Sequence, residues 1–140
     1  MYRTQSALNR AVLVLFCTIV GVAGCGSDPA GPPLPGVEPE VINNPDTFEF
    51  QVTAVENYTG SWSYDWTTTG TVINVDQSGT VTSGTITLTI LDSEGTPVYE
   101  GNLSEGGSYT SNPGVTGQWR IVVTLAGGSG TLNFRTEKNL

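Results

Sequence analysis

Residues 85–91 read Thr85-Ile86-Thr87-Leu88-Thr89-Ile90-Leu91. Hydroxyl and aliphatic side chains alternate with a period of two. That period puts Ile86, Leu88 and Ile90 on one face of an extended chain and the threonines on the other. β-Branched residues are at home on such a pleated surface. This stretch is therefore a half-buried β-strand. The same reading extends outward in both directions. Phe48, Phe50, Val52 and Ala54 alternate with Glu49, Gln51 and Thr53. Trp62, Tyr64 and Trp66 alternate with Ser63, Asp65 and Thr67. Ile73 and Val75 follow a turn at Thr69-Gly70, and Val98 to Leu103 is a weaker strand. Trp119, Ile121, Val123 and Leu125 form another, and Leu132 and Phe134 the last. Nothing after residue 46 repeats at helical spacing.

Turn chemistry separates these runs. Asp76-Gln77-Ser78-Gly79-Thr80 and Asp92-Ser93-Glu94-Gly95-Thr96 share one form, an Asp that bonds its own backbone and a Gly for the positive-φ position. Gly127-Gly128-Ser129-Gly130 reads as a hairpin between the last two strands. Seven or eight short antiparallel strands in residues 46–140 predict an all-β, jelly-roll-like sandwich. Strict alternation predicts that Trp119, Ile121, Val123 and Leu125 pack against Ile86, Leu88 and Ile90 across the sandwich, with Phe134 beside them.

Upstream the composition changes. Residues 25–45 hold six prolines and lack hydrophobic periodicity, so they read as a disordered, semi-rigid linker. Fully extended, that linker would reach about 60 Å. Before it, Met1 to Arg10 carries Arg3 and Arg10 and no acid, and Ala11 to Val20 is apolar apart from Thr18. The apolar run is too short to span a bilayer, which takes about 20 residues. A basic start, a short apolar run and small residues after it make a secretory signal over residues 1–24.

The small residues are Val22-Ala23-Gly24-Cys25. This resembles the lipobox of bacterial lipoproteins. The resemblance implies signal cleavage between Gly24 and Cys25, a diacylglyceryl group on the Cys25 thiol, and acylation of the new amine. Each buried CH₂ contributes about 0.8 kcal/mol, and a second chain makes the anchor stable. Cys17 would leave with the signal, so the mature domain would carry no free thiol and no disulfide. In that family an Asp after the cysteine commonly retains the protein in the inner membrane. Gly26 and Ser27 stand there, which implies the outer membrane in a two-membrane host.

A second resemblance rests on Leu88-Thr89-Ile90, Asp92 to Gly95, Val98-Tyr99, Gly117 to Val122 and Gly130 to Phe134. In that order they are similar to the jelly-roll sandwiches of pre-peptidase C-terminal domains. Such domains usually follow a catalytic module, and none precedes this one.

Composition narrows the chemistry. The 140 residues include no histidine, which rules out a Ser-His-Asp triad or a histidine-ligated metal. Two cysteines cannot build a four-thiolate zinc site. The formal charge is −8, and loss of residues 1–24 would leave three basic against 13 acidic side chains. Such a chain repels nucleic acid. The one lysine, Lys138, lies too near the end to serve a Ser-Lys pair. Asp65, Asp76, Asp92, Glu94, Glu100 and Glu105 are the carboxylates available for glycoside hydrolysis, but a small domain without a second lobe offers little cleft. The expectation is a protein that is not an enzyme and needs no cofactor. Calcium, which takes oxygen ligands, is the one metal these acidic loops suit, although none has an EF-hand's length.

Trp62, Tyr64 and Trp66 are the candidate ligand-binding residues. Exposed, their shared face would be a flat platform for sugar rings; turned inward, it is core. The polar residues opposite favour core. Tyr58, Tyr99 and Tyr109 fall near strand ends, where they could rim a loop surface. Asn57-Tyr58-Thr59 and Asn102-Leu103-Ser104 match the glycosylation sequon, without meaning in a bacterial lipoprotein. Two functions follow: a non-catalytic accessory or structural envelope lipoprotein acting through protein contacts, or a small extracellular binding module for carbohydrate or another ligand.

Overall fold

The computed structural model describes residues 37–140, and the signal and lipobox residues lie outside that range. The chain is all-β. Seven strands run in the order β1 (Glu40–Asn44), β2 (Thr47–Thr68), β3 (Ile73–Gln77), β4 (Thr80–Leu91), β5 (Pro97–Asn102), β6 (Gly107–Thr110) and β7 (Gly117–Lys138). All pairings are antiparallel.

Two 22-residue strands organise everything else. β2 and β7 lie side by side from Thr47↔Glu137 to Thr68↔Gly117, with register shifts between Val52 and Gly60. At those shifts the ribbon bends and changes layer. The first layer holds β1, the start of β2, the end of β7, β3 and β6; the second holds the end of β2, the start of β7, β4 and β5. The layers meet through aromatic rings, Phe50 against Trp62 at 5.6 Å and Phe48 against Tyr64 at 5.6 Å between centroids. One apolar cluster fills the space between them.

Four expectations change here. Gly127 to Gly130 is not a hairpin between two strands but the bend within β7. Gly127 (φ 59°) and Gly130 (φ 138°) take backbone shapes that a bulge and a turn demand alike. Asp76 to Thr80 is not a turn either. Gln77↔Phe134 and Thr80↔Thr131 keep one register along β7, and Ser78 N–H bonds the Asn133 carbonyl at 3.0 Å. Gly79 serves close approach, because a Cβ there would stand 2.8 Å from the Thr131 carbonyl oxygen. Ala54 does not continue the inward row. It sits at φ 57° on the surface, and Val55 takes the buried place after the shift. Lastly, β4 and β7 are neighbours in one sheet, with Ile86↔Leu125, Leu88↔Val123 and Ile90↔Ile121 paired. Those residues are buried as expected but pack side by side. They face the row of Phe48, Phe50 and Phe134 across the core, so Phe134 stands opposite them and not beside them.

The segment read as linker also changes at its end. Glu40 to Asn44 is β1, paired with β2 from Glu40↔Gln51 to Asn44↔Thr47. Only Val41 and Ile42 are apolar there, and an edge strand of five residues carries no visible alternation. Pro45 and Asp46 form the turn, with Asp46 at φ 64°.

Candidate functional site

Trp62 and Trp66 are each 1 % exposed. Trp66 meets Trp119 edge-on at 6.2 Å and donates its indole N–H to the Asn44 carbonyl at 2.9 Å. Trp62 stacks with Tyr58 at 5.8 Å. Tyr64, between them in the row, is half-buried beside Phe48 and Phe50. Burial pushes its phenol pKa up to about 12. The three rings therefore offer no flat platform to a sugar. Their row points inward because Ser63, Asp65 and Thr67 occupy the solvent face, and Asp65 pairs there with Arg120 at 3.5 Å.

The carboxylates fall into two kinds. Asp92 is buried and holds the β4–β5 turn. Its Oδ1 accepts the N–H of Glu94 (3.0 Å) and Thr96 (2.8 Å), and its Oδ2 accepts the N–H of Val115 (3.0 Å). Those donors, Val115 first, hold its pKa below the ordinary carboxylate value. Gly95 at φ 83° completes the turn as the sequence predicts. Asp46 does the same for the loop after β2, from its place in the β1–β2 turn. It accepts the Thr69 N–H at 2.6 Å together with the hydroxyls of Thr68 and Thr69, and its pKa is lowered, chiefly by the Thr69 N–H. Lys138 donates to the Thr69 hydroxyl at 2.9 Å, so this lysine joins a loop-holding cluster. Sequence reading missed that cluster, since its members lie 22 to 69 positions apart.

The second kind is solvated. Glu49, Asp65 and Glu137 face arginines in exposed ion pairs, which contribute about 0–1 kcal/mol each. Asp76 accepts from the Ser108 hydroxyl across β3 and β6. Glu94, Glu100 and Glu105 are exposed. Among the described residues, no three Asp, Glu, His or Cys side chains converge to hold a metal ion.

Tyr99 and Tyr109 meet at 6.0 Å where β5 and β6 face each other. Buried Gln77 lies beneath them. Oriented to satisfy both amide atoms, it accepts from the Tyr99 hydroxyl and donates to the carbonyls of Asn102 (3.1 Å) and Glu105 (3.3 Å). This knot closes one side of the sandwich; it does not rim an open loop surface.

Among the described residues the surface carries open hollows. One, about 410 Å³, lies on the outer face of the first layer and includes Glu40, Ile42, Glu49 and Arg135. A second, about 450 Å³, adjoins Asp46, Glu137 and Lys138, and a third, about 490 Å³, adjoins Asp65, Asp92 and Arg120. No protein-family profile matches the chain, and no curated protein matches it.

Proposed function

We propose that this chain is an envelope or cell-surface lipoprotein, anchored through acyl chains on Cys25, whose β-sandwich is non-catalytic and acts through protein contacts. The observation that carries this reading is Val22-Ala23-Gly24-Cys25 at the end of a basic and then apolar leader. The shape of the domain supports the non-catalytic part. Its two acids with shifted ionisation, Asp46 and Asp92, spend their oxygens on loop N–H groups, and its tryptophans fill the core. The outer membrane is the destination in a two-membrane host, on Gly26 and Ser27. Calcium is not required by this reading.

β1 takes Glu40 to Asn44 into the sandwich, so at most residues 26–39 separate the proposed anchor at Cys25 from the first strand. At 3.3–3.6 Å per residue they could span at most about 50 Å. The test is fractionation of cells expressing wild type and Cys25→Ser. Wild type should sediment with the membrane and be released by detergent, and Cys25→Ser should be uncut and lack acyl chains. Cys25→Ser processed and membrane-bound like wild type would overturn the proposal.

A further inference from the structure

A sandwich has open sheet margins, and proteins protect them with short strands, charges, prolines or covering loops. Three of the margins here are guarded. β5 starts at Pro97, and its Val98 carbonyl accepts the Asn112 N–H at 2.9 Å. β6 has only four residues. The free side of β2 beyond its bend is engaged at Asp65 by the Asn43 side chain (2.8 Å) and at Thr67 by the Asp46 N–H (3.0 Å). β1 is different.

The turn before β2 sets which way the β1 main-chain groups point. Pro45 and Asp46 are a two-residue turn, so Asn44 and Thr47 form a hydrogen-bonded pair. Alternation then makes Ile42 and Glu40 bond Glu49 and Gln51. The N–H and C=O groups of Val41 and Asn43 point away from β2, and no strand pairs that margin among the described residues. Beside them Ile42 is 52 % exposed, an aliphatic side chain in mid-strand with water over half its surface.

The geometry points to β1 as a self-pairing edge, with a second copy of this chain as its occupant. Antiparallel pairing about a two-fold axis at Ile42 sets Val41 opposite the second copy's Asn43, and Asn43 opposite its Val41. Both are hydrogen-bonded pairs, giving four main-chain bonds. Ile42 falls opposite the second copy's Ile42 in a non-hydrogen-bonded pair, where Cα atoms approach to about 4.5 Å and side chains touch. Glu40 falls opposite Asn44, so within the five-residue ladder no like charges stand opposite each other, although each chain is strongly acidic. The chain's own tether is a poor occupant. Pro29, Pro32, Pro33 and Pro35 have no N–H to give a ladder. The contact is small beside the roughly 1,600 Å² of a standard interface. Association is therefore weak and rises with concentration, a condition that crowding on a surface meets.

Full-length Ile42→Cys tests this directly. Non-hydrogen-bonded Cα spacing suits a disulfide. Mild oxidation in membranes should give a dimer band absent from wild type, forming at least about tenfold faster than with Thr53→Cys, an exposed control on the same strand ribbon. Equal rates for the two would overturn the proposal. Sedimentation equilibrium of the full-length chain in density-matched detergent gives a second reading. Its mean mass should rise towards two chains with concentration, and Ile42→Lys, at a site already half in water, should hold it at one. A wild type that stays at one chain throughout, or an Ile42→Lys that dimerises like wild type, would also overturn it.

Discussion

Removing the indole of Trp119 should cost a large share of an ordinary domain's margin of stability. The side chain is completely buried. It meets Trp66 edge-on, and a Cβ added at Gly114 would stand only 3.2 Å from its ring, so the fit is close on both sides. An aromatic ring of this size buries about 200 Å². At about 25 cal/mol per Å² that is near 5 kcal/mol, an upper figure because unfolded chains already bury some of it. The indole N–H also donates to the Val115 carbonyl at 2.6 Å. Val115 is 44 % exposed, so water can replace that bond and its loss adds little. Trp119→Ala should therefore lose about 4 kcal/mol, within the 3–5 kcal/mol typical of such truncations. Domains hold together by about 5–15 kcal/mol. With a urea slope of about 2 kcal/mol/M, the unfolding midpoint should fall by about 2 M, followed by the fluorescence of Trp62 and Trp66. Trp62→Ala and Trp66→Ala should fall comparably. A midpoint shift under about 0.5 M for Trp119→Ala would mean that the inward face of β7 is wrongly assigned, and the same result at Trp62 and Trp66 would restore an exposed platform.

Thr136 lies fully buried between Phe48 and Val75, and its hydroxyl has no hydrogen-bond partner. Thr136→Val keeps the shape and removes the stranded group, so a urea melt should show a gain of about 1 kcal/mol. Asp92 has a folded pKa below the 3.8 of a free side chain. Its contribution is thus present in full above that value and is lost as pH falls through the folded value. Urea midpoints of wild type should drop in that acid range, and Asp92→Asn should be less stable at neutral pH and flatter below it. Tyr64 should titrate near pH 12, so ultraviolet titration of the folded domain should show one late phenol that Tyr64→Phe removes. Because burial raises that pKa, the stability tied to the neutral phenol should hold below about pH 10 and fade as pH rises towards 12.

Much of the architecture was legible because alternation is a direct image of a half-buried strand. Ile86, Leu88, Ile90 and the row from Trp119 to Leu125 are buried as their pattern predicts. What stayed hidden is how strands continue. A turn and a bulge use the same residues, since both need glycine at positive φ or where two backbones touch. Gly127 to Gly130 and Ser78-Gly79 therefore read as breaks, although β7 and the β3–β4 line run through them. Layer assignment was hidden for the same reason. Once β7 is seen to bend, β4 becomes its neighbour and not its opposite. β1 escaped notice because its pairing is carried by main-chain groups, which every sequence possesses. The loop-holding role of Asp92 was legible from Asp92 and Gly95, but that of Asp46 was not, because its partners arrive from the far end of β2 and from Lys138.

Intact-mass spectrometry of the protein extracted from membranes tests the acyl anchor on Cys25. The expected mature chain starts at Cys25 and is heavier than its sequence by a diacylglyceryl group and, where the amine is modified, one further acyl chain. Digestion should place that excess on the peptide that begins with Cys25. A chain that starts at any other residue, or a Cys25 peptide of unmodified mass, would contradict it.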